Sequence, residues 1–174
     1  MQKRNIIFIA ITLLVLISGN ISGKMLPGKL NFFGASDKHI HYVGRIDFSD
    51  PHLPRFWSPG VYLYTTFTGS DCYVVLNDEV NYGVMHNYIE IVVDGKPRRM
   101  KLSGKTDTIW VARNLSKGKH TLLVCKDTES NIGYLEVAGV GCERLVDTRE
   151  TFAHLIECFG DSITCGASSD LSST

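Results

Sequence analysis

Ile156-Glu157-Cys158-Phe159-Gly160-Asp161-Ser162-Ile163-Thr164-Cys165-Gly166 is the stretch that separates the two parts of this chain. It closes an apolar run, His154 to Phe159, that reads as a short buried strand. The run stops at Gly160. Glycine reaches backbone angles that a residue with a Cβ resists, so the chain can turn sharply off a strand end there. Ser162 would then be displayed at the rim of a sheet, with its own backbone N–H free to face an oxygen. The logic is that of a strand–turn–helix nucleophile site, although G-x-S-x-G itself is absent. Asp-Ser is also ordinary turn chemistry, so the sequence upstream has to decide.

Upstream, the pattern is of short strands. His39 to Phe48 partly alternates, as an edge strand would, and Ser49 to Pro59 reads as a Pro-rich loop carrying Phe56 and Trp57. Val61 to Phe67 is β-branched and aromatic. Gly69-Ser70-Asp71 reads as a turn, with Cys72 to Leu76 as the next strand. Tyr88 to Val93 and Arg98 to Leu102 flank Asp94-Gly95, a strong hairpin signal. Thr108 to Ala112, His120 to Cys125 and Ile132 to Val140 complete the set, with Ser103-Gly104-Lys105 and Ser116-Lys117-Gly118-Lys119 as turns. No helical period interrupts them. Close-spaced strands of this kind predict an antiparallel sandwich or jelly roll.

The expected organisation is a signal peptide at 1–23, a jelly-roll β-sandwich at 38–142, a charged linker at 143–153, and the start of an α/β domain at 154–174. Lys24 to Asp37 reads as a loose lead-in. The signal consists of Lys3 and Arg4, an apolar run from Ile6 to Ile17, and small or polar residues from Ser18 to Gly23. That run falls short of the roughly 20 residues a membrane span needs. The expectation is therefore cleavage, no stable membrane span afterwards, and a secreted or periplasmic protein.

Lys and Arg number 18, as do Asp and Glu. A neutral chain lacks the basic footprint of a nucleic-acid binder. The five cysteines, Cys72, Cys125, Cys142, Cys158 and Cys165, are an odd number and include no C-x-x-C. Buried free thiols are the expectation for Cys72, Cys125 and Cys158, and no spacing suits a metal.

Gly160-Asp161-Ser162-Ile163-Thr164-x-Gly166 resembles the first block of the SGNH (GDSL-type) hydrolases, esterases and lipases on a flavodoxin-like sheet. The β region adds Tyr42-Val43-Gly44-Arg45-Ile46, Phe67-x-Gly69, Val93-Asp94-Gly95, Leu115-x-x-Gly118-x-His120 and Lys126-x-Thr128-Glu129. In this order they resemble the N-terminal jelly roll of carbohydrate esterase family 2, which precedes an SGNH catalytic domain. Asp127 stands where a basic residue is expected. The Ser-rich tail from Ala167 to Thr174 departs from the family's pattern and offers no apolar helix face.

The resemblance implies deacetylation of plant polysaccharides such as acetylated xylan or mannan. Ser162 would be the nucleophile and its backbone N–H an oxyanion donor. Gly160, Asp161, Thr164 and Gly166 would support the turn, and no metal or organic cofactor is implied. A Ser hydroxyl needs a base, which in that family is a His in a D-x-x-H block. None of the six His residues here has an Asp three positions before it. The chain by itself is therefore expected to be a poor esterase.

A different reading is a non-catalytic carbohydrate-binding or structural β-sandwich. Trp57, in its Pro-rich loop, and Tyr82 are the candidate glycan contacts. Trp110 is expected in the core, Tyr62 and Tyr64 on one strand face, and His52 as an ordinary loop residue. Asp78, Glu79, Asp127 and Glu129 are expected on a solvated face.

Overall fold

A computed structural model describes residues 30–148 and 160–161. Among the described residues the chain is nearly all strand, with one 3-10 turn at Ser130–Ile132 and no α-helix. The strands are β1 (Asn31–Gly34), β2 (His41–Val43), β3 (Arg55–Phe56), β4 (Tyr62–Asp78), β5 (Tyr88–Val93), β6 (Lys96–Lys101), β7 (Thr106–Ala112), β8 (Lys119–Lys126) and β9 (Leu135–Val146). Every pairing between them is antiparallel. This is the β-sandwich that the strand spacing predicts. The α/β strand expected at His154 to Phe159, the signal at 1–23 and the tail lie outside the described residues.

The organising element is β4. Its first half, Tyr62 to Thr68, pairs with β8 and, at its start, with β2. Its second half, Cys72 to Asn77, pairs with β7 on one side and β9 on the other. The expected turn at Gly69-Ser70-Asp71 is therefore a bend inside one strand of 17 residues. Gly69 has φ +106, and a Cβ there would lie 2.9 Å from the Cβ of Glu143 on β9. The register with β9 shifts between Thr68 and Cys72. A glycine at positive φ lets the strand kink from one layer into the other without ending.

Alternate residues of β4 point inward: Leu63, Phe67, Cys72, Val74 and Leu76 are fully buried. They meet Ile89 and Ile91 of β5, Leu122 and Val124 of β8, and Leu135, Val137 and Val140 of β9 in one core. This period of two is what a half-buried strand requires. Asp94 and Gly95 both take positive φ, +49 and +75, as a tight turn of the I′ kind demands, and they join β5 to β6 as the sequence predicts.

Several expectations change. The lead-in contains β1, which adds to the edge of β9. The Pro-rich loop contains β3, whose Phe56 is fully buried. The edge strand at His39 to Phe48 is shorter, only β2. The last strand runs on through Val146, so the first residues assigned to the linker belong to the sandwich. Trp110 is not core. It lies on the outward face of β7 and is 37% exposed, because its neighbour Ile109 takes the inward position. Cys72 and Cys142 are buried and face one another directly across β4 and β9, both as free thiols. A hydrogen bond between them, with burial, pushes the Cys72 thiol far up from its ordinary pKa. Burial likewise holds Cys125 up at about 11.

Candidate functional site

Of the expected nucleophile turn, Gly160 and Asp161 are described and both are exposed. Ser162, Thr164 and Gly166 lie outside the described residues. The chemistry that can be placed in space therefore belongs to the sandwich, at the end where β3, the start of β9 and the loop after β4 meet.

Arg55 on β3 is the cross-strand partner of Glu136 on β9. Its Nε donates to Glu136 Oε1 at 2.9 Å, and its Nη2 bonds the same oxygen. The guanidinium also lies over the Tyr134 ring, 4.2 Å from the centroid, and 5.9 Å from that of Trp57. Trp57 meets Tyr134 edge-on at 5.8 Å. Trp57 is thus 38% exposed yet held by two neighbours. Tyr82 is 88% exposed at φ +56, in a turn tied down by Asn81, whose amide reaches the Asn131 carbonyl. The backbone of Tyr134 bonds Glu79, which links the two regions.

Behind this surface is a buried polar network that pattern reading missed. Asp78 was expected on a solvated face, but it is buried. It accepts bonds from His86 Nδ1 at 3.0 Å and from the Asn87 backbone and side chain. Asn87 also accepts the Thr128 hydroxyl and donates to the Tyr134 carbonyl at 3.1 Å. Lys126 is fully buried, and its ammonium gathers the Thr128 carbonyl and hydroxyl and the Glu129 carbonyl. Burial pushes its pKa down to about 8, against the pull of nearby carboxylates led by Asp78. The Lys126-x-Thr128-Glu129 motif is thereby explained: the lysine closes the loop that follows β8. Asp127 makes a surface bond to Arg99 Nε at 2.8 Å.

Among the described residues three histidines pair with aspartates, at spacings other than D-x-x-H. His39 sits between Asp37 at 2.7 Å and Asp147 at 3.4 Å. His120 uses Nδ1 on Asp94 at 2.7 Å and Nε2 on the Ser116 carbonyl at 2.9 Å. Both nitrogens of each ring face acceptors. His86 holds a buried carboxylate through Nδ1. His52 lies 3.5 Å from the Ser36 hydroxyl, at the limit of a hydrogen bond. Among the described residues no group of three or more His, Cys, Asp or Glu could hold a metal ion. No helix among them is long and apolar enough to cross a membrane.

Residues 42–148 match the family model described as carbohydrate esterase 2 N-terminal. A cellulase/esterase, CelE, of Acetivibrio thermocellus is 31% identical over 72% of this chain and 15% of its own length. An acetylxylan esterase/glucomannan deacetylase of Cellvibrio japonicus is 27% identical over 83% of this chain and 40% of its own. A solved family 2 carbohydrate esterase from Clostridium thermocellum, in complex with cellohexaose, superposes with a TM-score of 0.64 at 30% identity. That superposition covers 73% of this chain and 38% of the solved one. The chain thus spans well under half the length of each of these relatives.

Proposed function

The chain belongs to the carbohydrate esterase 2 N-terminal family, and from that premise we propose that it is the leading part of a secreted or periplasmic esterase that removes acetyl groups from polysaccharides such as xylan or mannan. Residues 1–23 act as its signal peptide. The sandwich is its accessory domain, and Ser162 is the nucleophile that the following SGNH domain displays. Ser162 attacks the acetyl carbonyl and the sugar leaves as its free hydroxyl, taking up the proton that the serine gave to the base; water then hydrolyses the acetyl-serine to acetate and frees Ser162. Its backbone N–H contributes to the oxyanion hole, where one donor is typically worth roughly 3–4 kcal/mol. Gly160, Asp161, Thr164 and Gly166 shape the turn. Trp57 and Tyr82 contact the glycan from the sandwich side. The reaction needs no cofactor.

One observation carries this reading: a family 2 sandwich is followed in the same chain by Gly160-Asp161-Ser162-Ile163-Thr164-x-Gly166. No His here has the D-x-x-H spacing, so the base comes from elsewhere in the enzyme. Its loss costs about 10² to 10⁴ in rate, and the chain alone should hydrolyse an aryl acetate near background. The experiment joins residues 24–166 to the downstream portion of the Clostridium thermocellum family 2 esterase. Acetate should be released from acetylated xylan or glucomannan, and Ser162→Ala should abolish it. A folded fusion that releases no acetate, or one indifferent to Ser162→Ala, would overturn the proposal.

A further inference from the structure

Solvent-facing positions of a sandwich layer are expected to be polar. The layer built from β1, β9, the second half of β4 and β7 departs from this. Its outward row runs Phe32, Gly141, Tyr73, Trp110, each the direct cross-strand partner of the next. Phe32 is 53% exposed. Gly141 and Gly139 make room for the rings. A Cβ at Gly141 would fall 2.0 Å from Tyr73 Cζ, and one at Gly139 would fall 2.6 Å from Phe32 Cζ. The two rings thus close over β9 from either side, 16° from parallel with centroids 6.4 Å apart. Trp110 flanks Tyr73 at 5.3 Å with a tilt of 61°, and the Arg113 guanidinium lies 4.0 Å from its centroid.

Four residues along β4, about 13 Å at 3.3 Å per residue, a second row crosses the same face. Glu136, Asn77 and Thr106 are again direct partners. Thr106 Oγ1 donates to Asn77 Oδ1 at 2.8 Å, and Asn77 Nδ2 donates to Glu136 Oε2 at 3.2 Å. Arg55 neutralises Glu136. This row therefore offers a hydroxyl and an amide without net charge. Between the rows stand Val75 and Thr108, direct cross-strand partners on the same face.

Exposed aromatic faces beside a neutral hydrogen-bonding row match one kind of ligand. The C–H faces of sugar rings stack on aromatic rings, and sugar hydroxyls donate and accept as Asn77 and Thr106 do. Phe32 and Trp110 are exposed and Tyr73 is half-buried between them, and a contiguous aromatic row of this kind marks an interaction surface. We propose that this sheet face binds an extended, uncharged polysaccharide chain, with Phe32, Tyr73 and Trp110 stacking on its sugars and Asn77 and Thr106 bonding its hydroxyls. The inference rests on the polysaccharide substrate proposed above and assigns the sandwich its own contact with that polymer.

The test is affinity electrophoresis of the full chain in gels containing soluble glucomannan or xylan. At least one polymer should retard it. Tyr73→Ala and Trp110→Ala should each weaken binding by roughly tenfold, as the loss of a stacked aromatic contact implies. Thr106→Val should weaken it less. Phe48→Ala, which removes an exposed ring that packs on Tyr42 elsewhere, should leave it unchanged. Melting curves accompany every variant. If an alanine variant unfolds, Trp110→Gln and Thr106→Val carry the test. Absence of retardation, or retardation indifferent to these substitutions, would overturn the proposal. So would a dimer in sedimentation that Trp110→Ala dissolves, since the face would then serve a second copy. Retardation that persists when the fusion enzyme releases no acetate sinks only the esterase reading. Acetate release without retardation sinks only this one.

Discussion

Lys126→Met replaces a fully buried ammonium with an apolar chain of similar length, and two opposing effects can be weighed. The substitution strips a charged donor from the Thr128 and Glu129 carbonyls. A buried acceptor left alone costs about 1–3 kcal/mol, so the pair costs about 4 kcal/mol. It also removes the penalty of burying a charge. That penalty follows from a pKa pushed from 10.5 down to about 8, which corresponds to roughly 3 kcal/mol. At pH 7 the variant should therefore be less stable by only about 1 kcal/mol. The gap must then widen with pH. Between 8 and 10.5 the folded protein has released the lysine proton while the unfolded chain still holds it. The unfolded state binds more protons, so stability contributed by Lys126 rises with pH. Linkage gives the wild type about 1.4 kcal/mol at pH 9 and about 2.5 kcal/mol at pH 10 relative to pH 7. Cys72 and Cys125, whose folded pKa values are raised, act in the opposite sense above pH 9. Cys72 is the same in both proteins and cancels in the difference, whereas Cys125 feels the Lys126 charge and is raised further once it is gone. The assay is urea unfolding of the two proteins at pH 7, 9 and 10, followed by tryptophan fluorescence. A gap that stays constant or narrows would refute the reasoning.

His120 and Asp94 predict a second pH dependence. Burial alone would lower the His120 pKa, but the Ser116 carbonyl and the Asp94 carboxylate outweigh it and raise the value above 6.5. Burial would raise Asp94, but bonds from His120 and Thr121 hold it below 3.8. The pair's contribution is complete between pH 3.8 and 6.5. It fades as pH rises through the folded His value or falls through the folded Asp value. The loss in His120→Gln should therefore be largest near pH 5. It should be only about 1 kcal/mol, because Asp94 is 41% exposed and screened by solvent; a loss that grows toward pH 9 would contradict this. The two glycines of β9 should differ in thermal unfolding. At Gly139 a Cβ would fall 2.2 Å from the Phe33 backbone oxygen, which cannot yield, whereas at Gly141 it meets the movable tip of Tyr73. Gly139→Ala should cost about 3 kcal/mol and Gly141→Ala about 1 kcal/mol; equal costs would show that the Tyr73 ring is not free to swing aside.

The strands legible in sequence were those with a clean period of two. His120 to Cys125 alternates buried with more exposed residues, Val61 to Thr65 does the same before Thr66 is also buried, and Asp94-Gly95 names its own turn. What stayed hidden depended on long-range pairing. Asn31–Gly34 has no period strong enough to be read, and it becomes a strand only because β9 presents an edge to it. Gly69 looked like a turn because local sequence cannot tell a chain reversal from a kink that Glu143 of another strand accompanies. Trp110 read as core because aromatic residues usually are; its face was decided by register with Tyr73. The buried network was hidden for a similar reason. Asp78, Asn87 and Lys126 are surface residue types, and only their mutual hydrogen bonds make burial tolerable. The motif from Gly160 to Gly166 is local, read from consecutive residues alone, and all of it after Asp161 lies outside the described residues.

The passage of β4 from one layer to the other has a consequence for how the sandwich comes apart. Because β4 pairs with β8 in one layer and β7 in the other, and β9 follows it along both halves, no cut through solvent-facing loops separates the layers. Peeling either one removes backbone partners from the other. The two sheets cannot behave as separate cooperative units. Amides in the middle of β4 and β9 should exchange only through opening of the whole domain, while those of the outer hairpin β5–β6 open on their own. The kink at Gly69 is thus the point where two layers become one thermodynamic object.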